Sequence, residues 1–128
     1  MTSYARWIPV LTYTWAAAIL IVSVIPSEEL PSLHIWEPDK VFHAIFYAIF
    51  TLLVYLQFTL TGQKAPGLKF VTKAALLCIL YGFCIEMIQR WLPTRSFDLF
   101  DVLADCVGCM LTVAGVLVFS NRKSGKSA

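Results

Sequence analysis

Charge is what this sequence lacks most. Asp, Glu, Lys and Arg make up 14% of its 128 residues, against roughly a quarter in soluble domains. Hydrophobic residues reach 59%, above the approximate half of ordinary globular chains. A water-soluble core is thereby excluded, and the length leaves room for one domain at most. The chain has no internal repeat and no low-complexity tract. It also has no small-x-small cleavage site ahead of Ser27-Glu28-Glu29, and its first apolar run exceeds the roughly 7–15 residues of a signal-peptide core. That first segment therefore reads as a retained helix, not a secretory leader.

What remains is four apolar stretches joined by short polar connections. Trp7–Ile25, Val41–Thr61, Leu68–Ile88 and Leu99–Phe119 each approach or reach the roughly 20 residues that span a bilayer. The expected fold is an all-α, multi-pass membrane bundle of four transmembrane helices, a single domain over 1–128 with short loops. Seven of the ten basic residues (Arg6, Lys64, Lys69, Lys73, Arg122, Lys123 and Lys126) fall on one side. The positive-inside rule puts that side, with both termini, in the cytoplasm and makes the cell membrane the expected location. Trp36 and Trp91 then fit an outer aromatic belt, and Tyr4 and Trp7 an inner one. The formal net charge of +2 carries no nucleic-acid signal. The basic tail Asn121–Ala128 is expected to be short and solvated.

Cys78, Cys84, Cys106 and Cys109 all lie in apolar segments. Cys106-x-x-Cys109 has redox spacing without a thioredoxin-like context, so the four read as small, buried, inert thiols.

All eight carboxylates lie on the outer side. Glu28, Glu29 and Glu37 belong to a Pro-broken loop. The other five are built into helix ends. Helix 2 opens with Asp39, Lys40, His43 and Tyr47, in which Asp39, His43 and Tyr47 share one face at i, i+4, i+8; Asp39 could also cap the helix. Helix 3 closes with Gly82, Glu86 and Gln89, again on one face. Helix 4 opens with Asp98, Asp101, Asp105 and Gly108, a stripe whose deeper small residues suit close helix approach. All three polar faces start at the outer interface, so they can converge there with Arg90 and Arg95. Asp101 and Asp105 have no cation within helical reach and need partners from other helices.

Three chemistries suit this set. Glu86 with Asp101 or Asp105 could form an acid/base pair. Carboxylates with His43 could hold a divalent cation, His43, Glu86 and Asp101 being the candidate ligands; a zinc site of Cys106, Cys109 and His43 is a weaker variant. Arg95, Arg90 and Lys40 could clamp a phosphate or carboxylate of an amphiphile. Plainer roles are a cap for Asp39, a snorkelling Lys40, and an Arg95–Asp98 ion pair closing the loop.

These residues resemble motifs of the VanZ-like family of small membrane proteins. Asp39-Lys40-Val41-Phe42-His43-Ala44-Ile45-Phe46-Tyr47 resembles its D-K-x-x-H-x-x-x-Y element. Glu86-x-x-Gln89 matches E-x-x-Q, and Arg95-x-x-Asp98-x-x-Asp101 followed by Gly108 resembles R-x-x-D-x-x-D-x-x-x-N-x-x-G. The likeness covers about residues 26–112. Asp105 stands where the family has Asn, and Thr112 where a second Gly is common. The family's namesake is associated with low-level teicoplanin resistance. The resemblance implies a shared outward-facing polar site without delivering a reaction. The expected site therefore has His43, Glu86 and Asp101 in catalytic roles and Asp39, Lys40, Tyr47, Gln89, Arg95, Asp98 and Asp105 contacting an envelope amphiphile (a lipid, a lipid-linked precursor or a lipoglycopeptide). The alternative is a non-catalytic scaffold whose polar network fixes helix register. Transport is a weaker third reading, since four helices are few for alternating access.

Overall fold

The structure is a computed structural model, and it describes residues 3–25, 38–61, 67–93 and 96–124. It is all-helical over those residues. A short 3-10 turn, Ser3–Arg6, leads into α1, Trp7–Val24. The others are α2, Pro38–Leu56; α3, Leu68–Gln89; and α4, Leu99–Ser124. All four are long and apolar enough to cross a membrane. Their outward surfaces carry large apolar side chains such as Leu76, Leu80, Phe100 and Leu111, the arrangement of a bundle whose solvent on those faces is hydrocarbon.

Three boundaries differ from the sequence reading, each for a local reason. Helix 2 starts at Pro38, not Val41; a proline is at home in the first turn, where its missing N–H would have no partner. Asp39 therefore lies inside that turn instead of preceding it. At its far end α2 widens into a π-helical turn over Gln57–Thr61. The Thr59 hydroxyl there donates to the Tyr55 and Leu56 carbonyls at 3.1 and 3.3 Å, the back-bonding by which Thr disturbs a regular ladder. Helix 4 runs to Ser124, so the basic tail begins as helix.

Helices α2 and α4 form the most extensive pair, α3 packs against both, and α1 leans mainly on α2. Glycine makes the closest approach possible. A Cβ added to Gly108 would strike the Ala44 carbonyl oxygen, with the Ala44 carbonyl carbon at 2.8 Å and its Cα at 3.0 Å. One on Gly82 would lie 2.6 Å from Asp105 Oδ2 and 3.0 Å from the Tyr47 hydroxyl. Small residues substitute here for the hydrophobic drive that lipid removes. Polar contacts then stitch the helices. Thr112 Oγ1 donates to Ala48 O at 2.8 Å and Thr51 Oγ1 to Cys109 Sγ at 3.2 Å. Tyr81 OH donates to Ala16 O at 2.7 Å, and Trp15 Nε1 to Phe46 O at 3.1 Å. Around them sits a core of Ile19, Tyr47, Phe50, Ala75, Cys78, Ile85 and Cys109. Cys78 and Cys109 are buried as expected, whereas Cys84 is exposed and Cys106 half-buried. None of the four is in a disulfide.

Candidate functional site

The start of α2, the end of α3 and the start of α4 lie at one end of the bundle, and the polar side chains meet there. Asp98 organises the entry to α4. Its Oδ1 accepts from the Phe100 N–H at 2.8 Å, and its own N–H donates to Glu86 Oε2 at 3.1 Å. The Phe100 N–H first, and the Lys40 ammonium second, hold the Asp98 carboxyl below the ordinary carboxylate range.

Lys40 crosses from α2 and is shared between Asp98, just ahead of α4, and Asp101 in its first turn. Its ammonium lies 3.2 Å from Asp98 Oδ2 and 3.3 Å from Asp101 Oδ1. One turn further along α2, His43 Nδ1 lies 2.9 Å from Asp105 Oδ1, while Nε2 faces Asp101 Oδ2 at 3.9 Å. With Asp105 ionised, its carboxylate accepts from Nδ1–H and so sets the tautomer of the ring. The cross-helix partners that Asp101 and Asp105 require are thus Lys40 and His43.

Side-chain exposure falls steadily along this set: 42% for Lys40 and 39% for Asp98, then 20% for His43 and 14% for Asp101, then 2% for Asp105. Glu86 is as inaccessible as Asp105, 1% exposed as a residue. Asp101, His43 and Asp105 are within electrostatic range of it. Its Oε2 takes the Asp98 N–H, but its Oε1 is buried and receives no hydrogen bond from any described residue.

Two expected members are turned to packing. Tyr47 is buried in the core, edge-on to Phe50 with 6.3 Å between ring centroids, and its hydroxyl lies against Gly82 beneath Asp105. Gln89 points to α1, donating from Nε2 to Ser23 O at 2.9 Å. Arg95, Trp36, Glu28, Glu29 and Glu37 lie outside the described residues, as does the Asp39 side chain. The expected Arg95–Asp98 ion pair is therefore outside them too, while Asp98 has Lys40 as a partner. Trp91 is highly exposed at this end, as an aromatic belt residue would be. Among the described residues no group of three or more His, Cys, Asp and Glu is spaced to hold a metal ion. His43, Glu86 and Asp101 are neighbours without forming a cation cage.

The sequence reading missed the apolar seam beside this cluster. Ala44 and Ala48 on α2 and Ala104 on α4 line, with Lys40 at the mouth, a groove of about 590 Å³. The signal was present as small residues four apart, Ala44-xxx-Ala48 and Ala104-xxx-Gly108.

Comparison with known proteins agrees with the motifs. An uncharacterized protein of Schizosaccharomyces pombe is 34% identical over 113 residues, which cover 85% of this chain and 67% of the relative. No solved structure matches the chain significantly. The VanZ/LLP1 family model matches residues 6–120, nearly the whole bundle and the polar end with it, and the chain belongs to that family.

Proposed function

We propose that the chain is a membrane protein that holds the polar head of an amphiphile at the shared end of α2, α3 and α4. By the charge asymmetry of its connections, that end faces outward from the cell membrane. The observation that carries this reading is Glu86 Oε1, a carboxylate oxygen 1% exposed in its residue and without a described donor. Leaving such a buried acceptor bare costs about 1–3 kcal/mol, and a hydroxyl or ammonium of a bound head would remove that cost. The relative in fission yeast favours a ligand that fungal membranes also contain, a lipid, over a lipoglycopeptide. If the site also turns its ligand over, His43 oriented by Asp105 is the best-placed general base, and hydrolysis or group transfer is the reaction class.

A second reading has its own observation. Lys40, His43 and Gln89 all complete pairs with neighbouring helices, which is what a network that only fixes register would do. Melting the detergent-solubilised protein with and without an added phospholipid, a lipid-linked sugar phosphate or teicoplanin separates the two. The ligand-site reading expects one of these to raise the melting temperature of the wild type. It expects Glu86→Gln to keep the helical signal and lose that rise. Loss of folded Glu86→Gln protein, with no amphiphile stabilising the wild type, would favour the scaffold.

A further inference from the structure

The groove between α2 and α4 is a second feature suited to an amphiphile, and no residue of α3 lines it, so it is distinct from the pocket at Glu86. It is walled by Val41, Ala44, Ile45, Ala48, Ala104 and Val107 and is almost wholly apolar. Its floor exists because Gly108 lets α4 touch the Ala44 backbone. The alanines leave the trough, and Val41, Ile45 and Val107 rise beside it as exposed ridges. Its α2 wall runs from Lys40 to Ile49, nine helical steps or about 14 Å. That is close to half of the roughly 30 Å hydrocarbon thickness, so the groove has the reach of one leaflet's acyl chain. Its volume falls within the approximate 300–1,000 Å³ of small-molecule sites.

Lys40 is the one charged residue lining the groove, and its partners bring negative charge beside it. Lys40 Nζ and Asp98 Oδ2 are 3.2 Å apart, both side chains about two-fifths exposed, with Asp101 at 3.3 Å behind them. A purely anionic head would meet Lys40 but also two carboxylates. A head carrying a phosphate beside a primary ammonium complements both: the phosphate accepts from Lys40, and the ammonium N–H groups donate to Asp98. A quaternary ammonium has no N–H to give.

We propose that the α2–α4 groove binds one acyl chain of a zwitterionic phospholipid, with its phosphate on Lys40 and its primary ammonium on Asp98. The test reconstitutes the protein in nanodiscs holding equal phosphatidylethanolamine, phosphatidylcholine and phosphatidylglycerol, then measures the lipids retained on extraction by native mass spectrometry. The wild type should retain phosphatidylethanolamine over phosphatidylcholine by roughly tenfold, equivalent to about 1.4 kcal/mol. Ala104→Leu fills the groove and should remove the retained lipid, with melting and helicity unchanged; Ala48→Leu is the second such variant if the first does not fold. Lys40→Gln and Asp98→Asn should keep a lipid and lose the selectivity. Equal retention of the three lipids by the wild type overturns the proposal. So does retention that survives both leucine variants, or leucine variants that change the oligomeric state and leave lipid untouched. These failures differ from that of the head-site reading, which fails when no amphiphile stabilises the wild type at all.

Discussion

Replacing Gly108 by alanine should separate α2 from α4 and damage the polar end without touching any of its side chains. The added Cβ meets backbone, with the Ala44 carbonyl carbon 2.8 Å away and the Ala44 oxygen nearer still. Favourable carbon contacts begin near 3.5 Å, so the helices must part by about 1 Å at this level. Backbone cannot rotate away, and no substitution of the Ala44 side chain relieves the overlap. Overpacking of this kind costs about 1–3 kcal/mol. The nearby Thr112–Ala48 and Thr51–Cys109 bonds stretch as well; at roughly 0.6 kcal/mol each in a membrane, they bring the total to about 2–4 kcal/mol. His43 Nδ1 and Asp105 Oδ1, now 2.9 Å apart, would leave hydrogen-bond range with the same displacement. Equilibrium unfolding in mixed micelles measures the loss, with Gly115→Ala as the control because nothing lies within 4 Å of its added Cβ. The control should stay within about 0.5 kcal/mol of the wild type. Equal stability of the two variants would refute the close α2–α4 contact and the site geometry built on it.

Two further outcomes concern the polar end, one from its geometry and one from the charge of the connections. Asp98 has a depressed pKa, so its contribution to stability is present above the unfolded carboxylate pKa and disappears as pH falls through the lower folded value. Carboxyl NMR titration should therefore place Asp98 below ordinary aspartate, and Lys40→Gln should move it part of the way back, because the Phe100 N–H remains; no movement would sink the Lys40 assignment. The orientation proposed from the basic connections predicts that an impermeant thiol reagent labels a cysteine placed at Ser32 in intact cells and misses one at Gln63. The reverse pattern would turn the polar end to the cytoplasm.

The four spans were legible because an apolar run of bilayer length has few other uses. So was the inward face of α4, since Asp98, Asp101 and Asp105 repeat at helical spacing while Leu99, Phe100 and Leu103 fill the exposed positions between. Partner choice was less legible. Nothing within the α4 sequence names Lys40, 58 residues from Asp98, as the cation it meets. Gln89 shares a face with Glu86 in the sequence, yet its amide reaches Ser23 on α1, a neighbour set by packing and not by spacing. The turn at Gln57–Thr61 was equally hidden, because a hydroxyl that back-bonds to its own helix leaves hydropathy unchanged. Ala44, Ala48 and Ala104 show small residues at a spacing of four with Gly108, but that spacing does not say which helices meet across it.

The ligand reading stands on Glu86 Oε1, a buried acceptor to which no described residue donates. A high-resolution structure in a lipid nanodisc tests it most directly. A bound head should place a nitrogen or oxygen of a non-protein molecule about 2.6–3.2 Å from Oε1, continuous with density leading outward past His43 and Asp101. A protein donor in that position, such as the Arg95 guanidinium, with no non-protein density beside it, would contradict the account and leave a structural network in its place.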